Sequence, residues 1–314
     1  MRLFRKETFC PRLWDEIYIN DHGEVFSCCH EGPEVLGNIL EERIEDICNN
    51  DVIQRRRKDS LNGRLRCYRQ CTLLDKSKIV AEDKPLVIQY SELKRLKVMF
   101  GEGCNIDCVM CQQDGKSRDY LDHEKLIENV DLSPFELIEI QGGEPLFIKP
   151  ARLFFDFVAS QGKKTSMLTN GMLVTERWAE KIALHGSFIH FSLNAATKEM
   201  HERINRGSRW EVVLRNIQRV REAREKHSTD LSIRGHMTVL PQNLQEVPLF
   251  IRKRQELGFD WIDFGFDYSV PKYLQADMKS SERKALKEEI AGALQSVGDP
   301  SRMELNRLRL LGLV

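Results

Sequence analysis

The sequence has no long apolar run and no net charge. Lys and Arg together number 48, as do Asp and Glu, so no overall field attracts nucleic acid or an anionic membrane. No segment approaches the length of a transmembrane helix, and the N-terminal MRLFRKETFC has no apolar stretch of the kind found in secretory signals. These absences predict a cytoplasmic protein whose partners include neither nucleic acid nor a membrane.

Cysteine is absent after residue 111, although the chain of 314 residues has nine cysteines up to that point. Thiols stay reduced in the cytoplasm, so nine of them indicate metal or redox chemistry rather than disulfides. Three lie in one short segment, GCNIDCVMCQQDG, at Cys104, Cys108 and Cys111. A metal site usually has four ligands, so this segment raises the question of what the fourth would be.

Strand and helix patterns alternate after a polar stretch at 75–85. The predicted strands are 95–100, 137–142, 165–170, 188–193, 231–240 and 261–266. The helical patterns between them lie around 150–161, 175–185, 208–227 and 243–257. This alternation predicts an α/β fold with a parallel sheet built from βαβ units. Right-handed crossovers would place the helices on the outside of a curved sheet.

One face of the later predicted strands is polar. The side chains on it are His190, Ser192, Asn194, Ser232, Arg234, His236, Thr238, Asp263 and Asp267. A parallel sheet covered by helices on both faces would be apolar on both, so we interpret the polar face as the lining of a hydrated cavity. The alternative is an antiparallel sheet with one face in water, which the helix-length spacers disfavour.

The cysteine loop follows the first strand of this alternating region, which in a βα barrel places it at the catalytic rim. Three thiolates within eight residues can bind three irons of a [4Fe–4S] cluster and leave the fourth iron open for a substrate or cofactor. Two alternatives remain: a zinc site completed by a distant ligand such as His123, or purely structural cysteines.

The second strand of the region ends in QGGEP (141–145). Gly142 and Gly143 leave backbone accessible at the same rim, and Glu144 adds a carboxylate. Carbonyl groups and a carboxylate together suit an ammonium group.

The cysteine loop followed one strand later by Gly-Gly-Glu resembles the radical S-adenosylmethionine (SAM) enzymes, over residues 90–270. The resemblance implies a partial (βα)6 barrel in which Cys104, Cys108 and Cys111 hold a [4Fe–4S] cluster and SAM binds the open iron. It places Gly142, Gly143 and Glu144 at the SAM amino group. It also implies that SAM is cleaved to methionine and a 5′-deoxyadenosyl radical, which abstracts hydrogen from the substrate.

The resemblance extends to further SAM contacts. Met110 stands where the family usually has an aromatic residue beside the adenine. LTNG and SLNAAT resemble the strand ends that line SAM, which implies contacts from Thr169, Asn170, Ser192 and Asn194. Asn205 stands where many relatives have Arg, so Arg206 or Arg203 is the candidate for the SAM carboxylate.

The upstream cysteines resemble those of a SPASM or twitch module, which carries an auxiliary iron–sulfur cluster. In many relatives the module follows the barrel, whereas here it precedes it. The implied ligands of a second [4Fe–4S] cluster are Cys10, Cys28, Cys67 and Cys71. Cys29 is either a replacement for Cys28 or a free thiol, and Cys48 fits a helical core position. A zinc site or ordinary buried cysteines are the alternatives.

Three regions follow from these patterns: an auxiliary module and linker over 1–84, a radical SAM barrel over 85–275 and a helical segment over 276–314. The predicted reaction is epimerisation or dehydrogenation of a polar, sugar-like small molecule, supplied with electrons by a flavodoxin or ferredoxin. Cys29 is the candidate hydrogen donor, and His236 or Asp267 the candidate proton acceptor.

Two other functions compete with this one. The first is modification of a ribosomally made peptide, which the little room for a leader-binding domain before residue 10 disfavours. The second is a non-catalytic cysteine-rich binding protein, which would cleave no SAM.

Overall fold

The computed structural model describes residues 4–5, 9–29, 34–65, 67–68, 71, 84–297 and 299–314. Its strands are β1 (Phe4–Arg5), β2 (Glu16–Ile19), β3 (Glu24–Phe26), β4 (Gly37–Asn38), β5 (Cys67–Tyr68), β6 (Arg95–Met99), β7 (Asp107–Cys108), β8 (Leu137–Gln141), β9 (Thr165–Thr169), β10 (Gly186–Ser192), β11 (Asn205–Arg206), β12 (Ser232–Val239), β13 (Trp261–Phe266) and β14 (Met303–Glu304). Its α-helices are α1 (Ile44–Ile47), α2 (Asp51–Leu61), α3 (His123–Asn129), α4 (Lys149–Ser160), α5 (Glu176–His185), α6 (Lys198–Ile204), α7 (Trp210–His227), α8 (Val247–Arg252), α9 (Ser269–Lys272), α10 (Ser280–Ser296) and α11 (Asn306–Leu310).

All six predicted strands are present as β6, β8, β9, β10, β12 and β13, within two residues of the expected bounds. Helices α4, α5 and α7 also match the prediction. The helix predicted over 243–257 is wrong in extent, because α8 ends at Arg252 and turns follow up to Gly258, which has a φ of +89°. In the described ranges, no helix combines the length and apolar character needed to cross a bilayer.

The chain forms two compact units, and the first comprises residues 1–103 and 116–166. Five of its strands lie in the order β8-β6-β2-β3-β4, and β1 pairs antiparallel with β5 in a separate two-stranded sheet. Both β2 and β8 pair with β6 in parallel, whereas β2, β3 and β4 pair antiparallel. The turn between β2 and β3 contains Gly23 with a φ of +78°, a backbone conformation that favours glycine. The cysteine-rich N-terminal segment therefore shares a sheet with the first predicted strand of the barrel.

The second compact unit comprises residues 104–115 and 167–314. Strands β10, β12, β13 and β14 are neighbours in that order and pair in parallel. Strand β14 was not predicted, and it extends the sheet by pairing Met303 with Ile262. The predicted domain bounds at 84 and 275 do not coincide with these units and stay a prediction.

The faces of these strands alternate as the sequence predicts. Ile189, Phe191, Ile233, Met237 and Ile262 are fully buried, whereas the polar residues between them keep partial access to solvent. The α/β class with a mostly parallel sheet is confirmed, and the antiparallel alternative is wrong for these strands.

A buried histidine fixes the start of the loop between β10 and α7. His201 on α6 is fully buried, and its Nδ1 donates to the carbonyl oxygen of Leu193 at 2.7 Å. Its Nε2 lies 2.8 Å from the Ser208 hydroxyl oxygen. Burial lowers the pKa of His201, which favours the neutral imidazole in the folded chain.

We expect the free energy of unfolding to fall when the pH is lowered from about 8 to about 6, and His201→Gln to reduce that fall. The unfolded chain protonates His201 near pH 6.5, roughly its ordinary pKa, whereas the folded chain resists protonation. The stability contributed by neutral His201 is therefore present above about pH 6.5 and is lost as the pH falls toward the folded pKa. Urea unfolding at both pH values measures the effect, and an identical pH dependence in the variant would contradict it.

Candidate metal and cofactor site

The cysteine loop is closed by its own backbone and tied to the segment after α6. The amide of Cys104 donates to the carbonyl oxygen of Gly115 at 2.9 Å, and the amide of Cys111 donates to that of Cys108 at 3.1 Å. Strand β7 pairs antiparallel with β11, with Cys108 opposite Asn205. The loop therefore presents its thiols from a fixed backbone.

Two asparagine amides contact the thiols of this loop. Asn170 Nδ2 lies 3.7 Å from Cys104 Sγ and donates to Asn105 Oδ1 at 2.9 Å. Asn205 Oδ1 lies 3.5 Å from Cys108 Sγ. The sequence indicated Asn170 as a SAM contact but missed the role of Asn205, which it noted only as a departure from an expected arginine.

The electrostatics of the triplet suit a positively charged metal centre. Burial raises the pKa of Cys108 to about 12, with the neighbouring Cys104 and Cys111 contributing in the same direction. A thiol that resists ionisation on its own gains from the charge of bound iron, and thiolates select iron–sulfur clusters or zinc among the common metals. The residues present therefore fit an iron–sulfur cluster.

The Gly-Gly-Glu turn lies against the backbone that leads into Cys104. The amide of Gly143 donates to the carbonyl oxygen of Gly101 at 2.8 Å, and that of Glu144 donates to Gly103 at 2.9 Å. A Cβ on Gly143 would overlap the carbonyl oxygens of Glu102 and Gly103, so only glycine permits this approach.

Glu144 itself is fully buried, and its Oε1 accepts from the amide of Leu146 at 3.0 Å. Its carboxylate thus stabilises the turn that begins the segment before α4. Contact of Gly142, Gly143 and Glu144 with the SAM amino group stays a prediction.

The other predicted SAM contacts are placed at strand ends. Thr169 Oγ1 accepts from the amide of Gly171 at 3.0 Å, and Ser192 ends β10 opposite His236 of β12. Met110 is partly buried beside Cys111. Their roles at SAM stay predictions.

Asn194 has a structural role that the sequence did not indicate. Its φ is +61°, and it is almost fully buried. Its Nδ2 donates to Asn205 Oδ1 at 2.9 Å, and its Oδ1 accepts from the amide of Thr238 at 2.8 Å. The side chain therefore joins β10, β11 and β12, and its predicted contact with SAM remains untested.

Arg206 clamps the cysteine loop. Its Nε donates to the carbonyl oxygen of Asp107 at 3.0 Å, and its guanidinium lies 2.9 Å from the Asp107 carboxylate. Both side chains are more than half exposed, so the ion pair itself contributes little stability. The predicted contact with the SAM carboxylate stays a prediction.

The upstream cysteines form two groups within the first unit. Cys10 and Cys71 are buried, and burial together with Cys71 raises the pKa of the Cys10 thiol to about 11. Cys28 and Cys29 meet the Glu16 carboxylate, with their ligand atoms within 4.8 Å of one another. Cys67 lies in β5, but its side chain is outside the described residues.

Cys29 lies in a charged pocket that the sequence missed. The Lys97 ammonium lies 3.6 Å from Cys29 Sγ and 3.4 Å from Glu16 Oε1. A hydrogen bond from Cys28 lowers the pKa of Cys29, and the Lys97 charge acts in the same direction against burial. Glu16 has only 4% of its surface exposed. Lys97 was the available signal of this pocket in the sequence, because it is a charged residue between the apolar Leu96 and Val98 of β6.

The polar face of the second unit contains a compact cluster of His190, His236 and Asp263. His190 Nε2 lies 3.0 Å from Asp263 Oδ1, and His236 Nδ1 lies 2.5 Å from the same oxygen. Burial alone would raise the pKa of Asp263, but the imidazoles of His236 and His190 hold it well below its usual range. Asp267, the alternative to His236 as predicted proton acceptor, accepts from the amide of Ser269 at 2.8 Å at the start of α9.

Two family models match the chain. The model described as "Radical SAM superfamily" matches residues 98–254, and the model described as "Iron-sulfur cluster-binding domain" matches residues 10–72. The second match contains all of the predicted auxiliary ligands.

Curated relatives match part of the chain. A probable GTP 3′,8-cyclase of Methanococcus aeolicus is 28% identical over 146 residues, which cover 42% of this chain and 47% of the relative. A probable GTP 3′,8-cyclase of Aeropyrum pernix is 23% identical over 182 residues, 54% of this chain and 49% of the relative. The chain thus spans just under half the length of these relatives.

Solved structures are similar at lower identity. SuiB of Streptococcus suis bound to its precursor peptide SuiA is 15% identical with a TM-score of 0.49, covering 64% of this chain and 46% of that one. TYW1 with a lysine–pyruvate adduct is 14% identical with a TM-score of 0.41, covering 66% and 74%.

We expect Gly143→Ala to lower the free energy of unfolding by at least about 2 kcal/mol, because the added Cβ displaces backbone carbonyls. The displaced backbone leads into Cys104, so the variant is also expected to hold less iron after reconstitution. Urea unfolding and iron analysis measure both effects.

Gly292→Ala is the matched control. Gly292 lies in α10 with no atom within 4 Å of an added Cβ, so alanine is expected to stabilise the chain by roughly 0.5–1 kcal/mol. A Gly143 variant as stable as this control would contradict the close approach at the turn.

Proposed function

The chain belongs to the radical SAM superfamily, and we propose that it holds a [4Fe–4S] cluster on Cys104, Cys108 and Cys111 and cleaves SAM reductively. Its cofactors are iron–sulfur clusters and SAM. The observation that carries the residue assignment is the cysteine loop, in which a backbone closed by its own hydrogen bonds holds three thiols, two of them in contact with asparagine amides. When bound, the cluster supplies the electron that splits SAM into methionine and a 5′-deoxyadenosyl radical.

The surrounding residues hold the loop through hydrogen bonds and contacts with its thiols. Asn170 and Asn205 contact two of the thiols, and Arg206 holds the loop backbone at Asp107. The Gly-Gly-Glu turn packs on the segment before Cys104, and its proposed role is to bind the SAM amino group. Three protein ligands leave one iron of a four-iron cluster open for that purpose.

A second cluster on Cys10, Cys28, Cys67 and Cys71 completes the proposal. The match to an iron–sulfur cluster-binding domain and the buried pair of Cys10 and Cys71 support it. Cys29 and Cys48 are then left over, and the Lys97 ammonium beside Cys29 supports a redox or hydrogen-donor role for that thiol.

The proposed substrate is a polar small molecule that carries a sugar. The second unit places His190, His236 and Asp263 on the polar face, together with Arg234 and Thr238, which supply hydrogen-bonding groups to a hydrophilic substrate. The relatives are named as GTP cyclases, and GTP contains a ribose. Electrons would come from a flavodoxin or ferredoxin. The roles of His236 and Asp267 as proton acceptors stay predictions.

We expect the anaerobically reconstituted protein to hold roughly eight irons, as two [4Fe–4S] clusters require, and to form 5′-deoxyadenosine from SAM and a reductant. Replacing Cys104, Cys108 and Cys111 together with Ala is expected to abolish the product and leave roughly four irons. Iron and sulfide analysis and mass spectrometry measure both quantities.

Cys48→Ala is the control for the loss of a thiol. Cys48 is 1% exposed, and its Sγ lies 3.2 Å from the carbonyl oxygen of Glu45, so it belongs to the core of the first unit. This variant is expected to keep the iron content and the product. Normal 5′-deoxyadenosine formation by the triple variant would show that the cluster is held elsewhere.

Substrate class is tested by deuterium transfer. We expect deuterium from labelled nucleotides or sugars, and none from labelled peptides, to appear in 5′-deoxyadenosine by mass spectrometry. A Cys29→Ala variant that oxidises the substrate instead of inverting it would support the thiol as hydrogen donor. Transfer from peptides alone would overturn the substrate class and leave the proposed SAM cleavage standing.

A further inference from the structure

The His190, His236 and Asp263 cluster brings one side chain from each of three neighbouring parallel strands to a single point. The strands are β10, β12 and β13, and His236 lies directly opposite Asp263 in the pairing of the last two. The three ligand atoms lie within 4.8 Å of one another, and all three side chains are partly buried on the polar face. We propose that they bind a divalent transition-metal ion through two imidazoles and one carboxylate.

The interatomic distances support this assignment. Ligand atoms about 2.1 Å from one ion lie roughly 3.0–3.4 Å from each other at octahedral or tetrahedral angles. His190 Nε2 and Asp263 Oδ1 are 3.0 Å apart, within this range. His236 Nδ1 and the same oxygen are 2.5 Å apart, so a small rotation of the His236 ring would accommodate the ion. Both nitrogens approach the same carboxylate oxygen, so the three ligand atoms converge on one point.

The surroundings orient the ligands and leave space for them. His236 Nε2 lies 3.1 Å from Thr238 Oγ1, a contact of the kind that fixes the ring of a metal-bound histidine. Gly265 lies beside the same ring, and a Cβ there would come within 3.2 Å of it. The absence of a side chain at Gly265 therefore leaves space for the His236 imidazole.

Arg234, a basic residue on the same face, is held by aromatic rings. The Arg234 guanidinium lies 4.0 Å from the ring centre of Phe188 and 5.2 Å from that of Trp261, and its Nε donates to Ser232 Oγ at 3.3 Å. The aromatic rings and Ser232 thus hold the Arg234 guanidinium on the same polar face as the cluster.

The donor set defines the class of ion. Two nitrogens and one oxygen with further positions open suit Fe²⁺, Mn²⁺, Co²⁺ or Zn²⁺, and the open positions would take water or an oxygen atom of the substrate. The site contains no sulfur, which separates it from both cysteine sites. In this assignment His236 is a metal ligand rather than the proton acceptor predicted from the sequence. The inference does not rest on SAM cleavage, because metal binding is measured without SAM.

Mn²⁺ is the probe of choice, because it prefers nitrogen and oxygen over thiolate ligands. The reconstituted protein with both clusters oxidised is titrated with Mn²⁺, and the free ion is followed by electron paramagnetic resonance. We expect one Mn²⁺ bound per chain and displaced by Zn²⁺. His190→Gln, His236→Gln and Asp263→Asn are each expected to weaken binding at least about tenfold.

His227→Gln is the matched control, since His227 also contacts a carboxylate, that of Glu180, away from the cluster. It is expected to bind Mn²⁺ as the unaltered protein does. Thermal unfolding of each variant identifies any that fail to fold, and Asp263→Asn is nearly isosteric. Failure of the unaltered protein to bind one Mn²⁺, or equal binding by a folded His190→Gln, Asp263→Asn double variant, would overturn the site and leave a hydrogen-bonded cluster.

Discussion

The cysteine loop depends on Asn205, a fully buried amide that bonds in several directions at once. Its Nδ2 donates to the carbonyl oxygen of Ser192 at 3.1 Å, its Oδ1 accepts from Asn194 at 2.9 Å, and its backbone pairs with Cys108. A buried amide left without partners costs about 1–3 kcal/mol, so this arrangement is strongly specified. The end of β10, the left-handed backbone at Asn194 and the thiol of Cys108 are therefore placed by one side chain.

The side chains of the parallel strands alternate between two faces, which places polar groups inside the second unit without reducing its apolar core. Ile233 and Met237 of β12 are fully buried, whereas Arg234 and His236 between them lie on the polar face. Because successive side chains of a strand point to opposite faces, each apolar residue that stabilises the sheet adjoins a polar one available for function. At Gly265 the absence of a side chain leaves room on this face for the His236 ring.

Local patterns predicted much of this structure. The six strands, the cysteine triplet and the Gly-Gly-Glu turn are each recognised from residues close together in the sequence. Each of them is present in the structure as an element or a turn. Contacts between residues that lie far apart in the sequence were not predicted. Lys97 meets Cys29 across 68 positions, and the parallel pairing of β2 with β6 places the N-terminal segment in the first unit. No periodicity encodes such partners, because they arise only from the packing of the whole sheet.

The chain separates its metal ligands by donor chemistry along its length. All nine cysteines precede residue 112, whereas the two imidazoles and the carboxylate of the histidine cluster follow residue 189. Thiolates favour iron–sulfur clusters, and imidazole with carboxylate favours single divalent ions, so each kind of site selects its metal without competing for the other's. The fold reinforces this separation, because the strands that hold His190, His236 and Asp263 pair with one another and lack sulfur on that face. When iron and sulfide are supplied together, the type of ligand as well as the affinity would therefore determine which site the iron occupies.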